Sequence, residues 1–483
     1  MEIELRRLRR ARVGGLLLVA AGIAALLVTP RTAEAQGIRG WVGSTVQAVQ
    51  LRPLALDTIP VEALVREPNG TLTFMGQPVA CVTADVCTMY VPAPEETAVA
   101  ATQDVSLTAW GLGLQGLSFT TLIRGRAKGG GAVVWPRSDD SFDLMLGYAQ
   151  LHRGTVRVRL GRQEVRSGLG FPAFDGAFAA WSAGRFVLEG YGGRSMARGL
   201  REPTHDALRG LESFIPDESV YLIGGAAHGR LSTTTFTARY QREILADRSG
   251  LVSERASVDF NSVFTGVRLS GSVDYDFSFE QVGKGHLTVS LPMDEGRWLV
   301  EASGRRYVPY FELSTIWGFF EPVSYSEAQV RTAWSPRSTL GLWVSGGWRT
   351  YEETGAATVF RPLRDDGWRA NSGARWQIKP GVTLDGSYSL EWGPGSFLSS
   401  GDLAVRLDPA ERLSLTVQGT TFQQIEEFRI GDGRALGMGL SFDYQVGDRT
   451  TFTGGASMLR HRDGGTTTMS PWNQGRAWSA LRI

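Results

Sequence analysis

The chain has 483 residues, of which 50 are basic and 49 acidic, so its net charge is close to zero. This balance argues against a nucleic-acid-binding protein, which needs a clustered basic surface. Glycine is abundant at 60 residues, hydrophobic residues reach only 42%, and helical periodicity is almost absent after residue 35, so the sequence favours a β protein.

The first 35 residues have the features of a cleaved export signal. A basic segment precedes an uncharged, mostly apolar run from Gly14 to Val28, and Thr32–Ala35 has the small-x-small pattern of a signal-peptidase site. The alternative is a membrane anchor, but about 15 residues at about 1.5 Å each fall short of the roughly 30 Å hydrocarbon core. We therefore predict a signal peptide over residues 1–35. Removing its six Arg and three Glu leaves 44 basic and 46 acidic residues.

Residues 36–100 carry the two cysteines of the chain, Cys81 and Cys87. An exported protein meets an oxidising compartment, which makes a short-loop disulfide the default. A metal site would need two more soft ligands, and all five histidines lie far away in sequence. With several short β-like runs around the cysteines, the segment is predicted to be a small periplasmic β domain or a plug-like element ahead of the rest. We predict no metal site, and the domain offers a surface to a periplasmic partner.

From residue 101 onward, segments of roughly ten residues alternate between apolar and polar side chains. Val267–Glu280, Val382–Trp392 and Leu436–Tyr444 are clear examples. Such alternation gives a strand one apolar and one polar face, which also suits a soluble β-sandwich. The segment length, the aromatic residues near segment ends and the charged polar faces favour strands that cross a bilayer, with apolar residues toward lipid and polar residues toward a wet lumen.

The connections between these segments alternate between tight turns and longer, irregular stretches, as in outer-membrane barrels with short periplasmic turns and longer external loops. Working back from a periplasmic C-terminus, residues 101–483 are predicted to form a transmembrane antiparallel β-barrel of about 18–20 strands. The last segment, Gly475–Ile483, is similar to the C-terminal signal read by the barrel-assembly machinery, although Ile483 stands where an aromatic residue is usual. The predicted partners are that machinery, outer-membrane lipid and lipopolysaccharide.

Charged residues on the polar faces are the candidates for lining the lumen, and they include both signs. Two readings stay open: the charges form a selectivity ring, or they pair with one another and solvate a narrow interior. The candidates are Arg157, Arg159, Arg162, Arg239, Arg268, Asp274, Asp276, Glu280, Glu301, Arg305, Arg369, Arg375, Asp385 and Glu391. Arg406 and Asp443 share the same parity.

One local pattern adds a resemblance. Gly161-Arg162-Gln163 ends a strand, a loop follows, and Phe174-Asp175-Gly176 opens the next strand. This resembles the corresponding region of large outer-membrane porins of the alginate-export and substrate-specific type. The resemblance covers about 20 residues, and it implies that the intervening loop can fold into the channel and that small polar or anionic solutes pass by diffusion.

Two longer connections carry distinctive residues. The stretch 307–322 is rich in aromatic side chains, which suits stacking on a ligand, packing over the barrel mouth or the lipopolysaccharide layer. The stretch 193–218 contains Arg194, Arg198, Arg201 and Arg209, which suit phosphate contacts or simple solvation.

The chain contains no G-x-S-x-G elbow, no H-E-x-x-H and no P-loop, so we predict no enzyme. The predicted function is an outer-membrane channel that passes small hydrophilic solutes by diffusion through a charged lumen, without a cofactor. The alternative is a structural or assembly barrel with a blocked lumen, whose N-terminal domain binds a periplasmic partner.

Overall fold

The structure, a computed structural model, describes residues 37–483 apart from 53, 67–71, 75–76, 82–85, 112–113, 130–140, 167, 171, 197–218, 247–249, 309–323, 353–364, 394–395, 428–432 and 464–470. The predicted signal peptide, most of the predicted aromatic stretch 307–322 and most of the basic stretch 193–218 lie outside the described residues. Within the described residues, no helix is long and apolar enough to cross a membrane.

The fold is a closed antiparallel β-barrel of 22 strands. The first strand, β1 (Gly37–Leu51), pairs on one side with the second barrel strand and on the other with the last, so the sheet has no free edge. The other barrel strands are β8 (Glu96–Trp110), β9 (Leu117–Gly129), β10 (Phe142–Arg153), β11 (Val156–Glu164), β12 (Ala173–Ala183), β13 (Phe186–Ser195), β14 (Val220–Leu231), β15 (Thr234–Leu245), β16 (Leu251–Phe264), β17 (Val267–Asp276), β18 (Gln281–Met293), β19 (Trp298–Tyr307), β20 (Tyr325–Arg337), β21 (Leu340–Tyr351), β22 (Asp366–Lys379), β23 (Val382–Gly393), β24 (Ser396–Ala410), β25 (Leu413–Glu427), β26 (Gly433–Gln445), β27 (Thr451–Asp463) and β28 (Trp472–Arg482). The predicted fold class is confirmed.

The barrel has 22 strands instead of the predicted 18–20. Two strands account for the difference from 20. The first is β1, which the sequence interpretation assigned to a separate domain. The second arises because only one strand was predicted between Asp104 and Ala127, where the structure has β8 and β9. β1 has three Gly, β8 has four Ala and three Thr, and neither shows the regular aromatic alternation of the later strands, so their local pattern is weak.

The predicted disulfide between Cys81 and Cys87 is confirmed, and the two cysteines face each other in the sheet register. The element that carries it lies between the first two barrel strands, not ahead of the barrel as predicted. Its strands are β2 (Leu54–Ile59), β3 (Val65–Arg66), β4 (Leu72–Phe74), β5 (Gln77–Pro78), β6 (Ala80–Cys81) and β7 (Cys87–Pro92), with a 3-10 turn at Val61–Ala63. Because β2 pairs with β7 directly beyond the β1–β8 ladder, this disulfide ribbon (residues 52–95) extends the first barrel hairpin.

The longest connections all lie at one end of the barrel. At the short-turn end, strands join through tight turns such as 154–155, 232–233 and 380–381, and Val42 and Ile483 exchange backbone hydrogen bonds of 3.1 and 2.9 Å. At the long-connection end lie the longer stretches, among them 196–219 and 308–324, and the disulfide ribbon emerges at this same end. Short turns face the periplasm in such barrels. That rule predicts an external position for the ribbon, whereas the sequence interpretation predicted a periplasmic one.

The two faces of the wall differ as the alternation predicts. On β26 the side chains of Leu436, Met438 and Leu440 are 54%, 70% and 54% exposed, as befits a surface that meets lipid. The intervening Ser441 and Asp443 point to the other face, toward the lumen. Antiparallel partners lie on the same side of a sheet, so the register carries this assignment around the whole barrel.

Candidate functional site

The candidate functional site is the lumen face of the wall. Most of the predicted lining residues lie on that face. Each has a charged or polar partner across a neighbouring ladder, and its side chain points away from the exposed apolar face. Their role in conduction stays a prediction. The residues so located are Arg157, Arg159, Arg239, Arg268, Asp274, Asp276, Glu301, Arg305, Arg369, Arg375, Asp385 and Glu391, together with Arg406 and Asp443.

Arg162 was predicted to line the lumen but lies on the outer face. Strand β11 alternates without a break, so Arg162 shares the face of Leu160, which is 58% exposed, and not that of Arg159. Its guanidinium donates to both carboxylate oxygens of Asp175 at 2.8 Å and to the Leu144 carbonyl at 2.9 Å. The prediction placed residues of opposite parity on one face.

Glu280 was also predicted to line the lumen, but it lies in a turn at the long-connection end. Strand β17 ends at Asp276, whose Oδ1 accepts hydrogen bonds from the backbone N–H groups of Ser278 (2.8 Å) and Phe279 (3.3 Å). Such a side-chain-to-backbone turn ends the strand at Asp276, although the alternation in the sequence continues to Glu280.

An inward-folded loop between β11 and β12, described at residues 165–166, 168–170 and 172, packs against the lumen face. Val165 and Leu169 are buried, and Val165 belongs to an apolar cluster with Phe174, Phe178 and Leu222. The loop joins β11 to β12, yet Arg255 on β16 donates to the Leu169 carbonyl at 2.7 Å. The loop therefore reaches along the inner wall to a strand well beyond its own hairpin. This arrangement agrees with the loop that the porin resemblance implied.

Many lumen charges pair along the wall with a charge on a neighbouring strand. Glu189 lies 3.6 Å from Arg157 and 3.2 Å from His228, and Arg239 lies 3.4 Å from Asp259. Arg159 donates to Gln150 and stacks over two aromatic rings. Of the two readings left open above, mutual pairing describes this arc of the wall.

A second arc gathers three arginines around one carboxylate. Glu327, whose side chain is 1% exposed, accepts hydrogen bonds from Arg305 at 3.0 Å and Arg349 at 2.9 Å, while Arg369 lies beside its other oxygen. Arg349 also pairs with Glu391. We call these five residues the Glu327 cluster. The sequence interpretation included three of its members and missed Glu327 and Arg349, although Glu327 shares the parity of Arg331 on the same strand.

Comparisons with known proteins agree with the architecture. The siderophore receptor PirA from Pseudomonas aeruginosa is 12% identical, aligns over 94% of this chain and 81% of its own, and superposes with a TM-score of 0.52. This chain has the fold of outer-membrane β-barrels. The outer membrane protein OpdK from the same organism is 11% identical over 92% of this chain and 98% of its own, with a TM-score of 0.39. No protein family and no curated protein matches the sequence.

At 12% identity the comparison with PirA supports the barrel fold alone. The comparisons give no specific support to the alginate-export type. Within the described residues no group of three or more His, Cys, Asp or Glu side chains is arranged to hold a metal ion.

Charged side chains also occur on the outer face of the barrel at the long-connection end. Arg306 pairs there with Glu352, which follows β21 and also accepts a hydrogen bond from Ser324. The Ser324 hydrogen bond and the Arg306 guanidinium hold the pKa of the Glu352 carboxyl below its usual range. Arg306 is therefore neutralised within the protein, as Arg162 is by Asp175.

Proposed function

We propose that the barrel is a channel through which small hydrophilic solutes diffuse, driven by their own gradients. The observation that carries this proposal is the set of charged and polar side chains on the lumen face, which lies opposite an outer face of exposed apolar side chains. A polar lining lowers the cost of moving a hydrated solute through the membrane, because it replaces part of the hydration that lipid would remove. No cofactor or energy source is needed for such transport.

The inward-folded loop and the Glu327 cluster set the expected dimensions and charge of the path. A 22-stranded wall encloses a wider space than the 16–18 strands of open porins. A loop held against the inner wall narrows that space. Both the loop and the cluster lie toward the long-connection end, since Leu169 precedes β12 and Glu327 lies near the start of β20. We infer that solutes meet both near the external mouth.

The Glu327 cluster favours anionic solutes over cationic ones. Its three arginines outnumber its two glutamates, and Arg331 nearby is matched by Glu301 at 3.0 Å. A net positive charge at a narrowed mouth attracts anions and repels cations over about a Debye length, roughly 8 Å at physiological salt. The preferred solutes are therefore small, polar and neutral or anionic.

Planar-bilayer recording of the purified, refolded protein tests this function. We expect stable stepwise currents, and under a salt gradient a reversal potential on the anion-selective side. Folding is checked independently by heat-modifiable gel migration. A folded barrel that passes no current would overturn the diffusion proposal and favour a barrel with a blocked lumen.

The disulfide ribbon gives a test of orientation. With Val65 exposed at 59% within the ribbon, a Val65→Cys variant is expected to react with a membrane-impermeant maleimide on intact cells. Asp448, 98% exposed in a short turn at the opposite end, gives the matched control Asp448→Cys, which is expected to react only after the outer membrane is opened. Both native cysteines are held in the disulfide, so the background is low. The reverse labelling pattern would show that the ribbon lies on the periplasmic side.

A further inference from the structure

Three arginines lie together on the lipid-facing side of strands β26 and β27. Arg434 faces Arg462 directly across the ladder, and Arg460 lies opposite Leu436 on the same side. All three are exposed. Leu436 and Met438, which continue the same row on β26, are 54% and 70% exposed, which identifies this as the outer face.

The height of these arginines on the wall matches the edge of the membrane. Below them on the outer face comes the apolar row Leu436 to Tyr444 on β26, flanked by Met458 on β27. Above them, at the long-connection end, the strands finish. Side chains at this level meet lipid headgroups, because an arginine deeper in the apolar band would be costly.

The opposed pair is unfavourable unless an anion joins it. Like charges directly across an antiparallel ladder repel, and their Cβ atoms lie only about 4.5–5.5 Å apart. Arg162 and Arg306 show the usual solution on the same outer rim, since each has a carboxylate partner. Among the carboxylates whose side chains the structure describes, none pairs with Arg434, Arg460 or Arg462.

We propose that Arg434, Arg460 and Arg462 form a binding site for the phosphate groups of a phosphorylated glycolipid headgroup, as in lipopolysaccharide, in the leaflet at the long-connection end. Two guanidiniums at this spacing can share one phosphate, and each offers the planar donor fork that matches phosphate oxygens. Gln423 and Asn473 flank the site on the same face by register and add amide donors. The site is independent of conduction, so it stands whether or not the barrel passes current.

Lipid binding to the detergent-solubilised full chain tests the site. The probes are lipid A with both phosphates, the same lipid with its phosphates removed, and inorganic phosphate. The triple variant Arg434→Gln, Arg460→Gln, Arg462→Gln is expected to bind diphosphorylated lipid A roughly a hundredfold more weakly, about fivefold for each arginine near an anionic headgroup. The matched control Arg306→Gln removes an arginine that Glu352 already neutralises, so it is expected to bind as the native protein does. Equal binding by the triple variant, or binding that ignores the lipid phosphates, would overturn the proposal.

The single variant Arg434→Gln provides a second readout that does not depend on the triple variant folding. In neutral detergent it removes the like-charge repulsion, so its thermal midpoint is expected to equal or exceed that of the native protein. With diphosphorylated lipid A present, the order is expected to reverse, because the native protein gains more from the lipid. A variant that is less stable in both conditions would indicate a purely structural role and sink the proposal. Equal protection by inorganic phosphate would show a free-anion site instead of a lipid site.

Discussion

Replacing Glu327 with glutamine is expected to shift the channel strongly toward anions and to destabilise the barrel. The carboxylate is almost fully buried among Arg305, Arg349 and Arg369, so its loss leaves the three guanidiniums of the cluster with Glu391 as the cluster's one remaining carboxylate. Removing one partner of a buried ion pair costs about 3–5 kcal/mol. The reversal potential under a salt gradient measures the first effect, and the urea midpoint of the refolded protein measures the second.

Two other carboxylates provide graded controls for this experiment. Glu391 is 41% exposed and contacts Arg349, which keeps Glu327 as a second partner, so Glu391→Gln is expected to have a smaller effect on both measurements. Asp385 is 45% exposed and lies 3.6 Å from Arg375, itself 72% exposed. Such a pair contributes about 0–1 kcal/mol, and Asp385→Asn should leave the urea midpoint nearly unchanged. If Glu327→Gln behaved like Asp385→Asn, the cluster would be neither a structural centre nor part of the ion path.

The fold class could be predicted from the sequence because lipid imposes a strict local rule. Each strand in contact with lipid must show apolar side chains on every second residue, and strands such as β17, β23 and β26 carry that signal within about ten residues. The number of strands was harder to predict from the sequence. β1 closes the barrel by pairing with β28, more than 400 residues away, and nothing in the local pattern of either strand encodes that partnership.

The candidate site was predictable only to the level of which face a residue occupies. The register places Arg305, Arg369 and Glu391 on the face that parity predicted. Arg162 was assigned to the wrong face because its parity differs from that of Arg159, and Glu280 was assigned to a strand that ends at Asp276. The Glu327 cluster depends on register across several ladders, because Arg369 and Glu327 lie on strands that are not adjacent. A single sequence contains no signal for such a distance.

Releasing the inward-folded loop from the wall is expected to raise the single-channel conductance. The burial of Leu169 and the hydrogen bond from Arg255 to the Leu169 carbonyl are two of the contacts that hold it there. Truncating a buried leucine to alanine costs about 2–5 kcal/mol, and a hydrogen bond from a charged donor contributes about 1.5–3 kcal/mol. The double variant Leu169→Ala, Arg255→Gln should therefore favour the released loop and give a larger and noisier open state. Arg268→Gln, which also removes a lumen arginine but touches no loop residue in the described structure, is the control for the lost charge.

A crosslink provides the opposite perturbation and separates loop movement from loss of charge. A Cβ built at Gly168 would lie 3.7 Å from the Ser257 hydroxyl oxygen, so side chains at these two positions approach each other closely. With Cys81 and Cys87 replaced by serine, the pair Gly168→Cys, Ser257→Cys should form a bond that holds the loop on the wall. We expect the oxidised protein to keep the native conductance even when Leu169→Ala and Arg255→Gln are added, and the reduced protein to show the larger state. If oxidation made no difference to that variant, the increase would come from lost charge or a disturbed wall, and the loop would not be what narrows the channel.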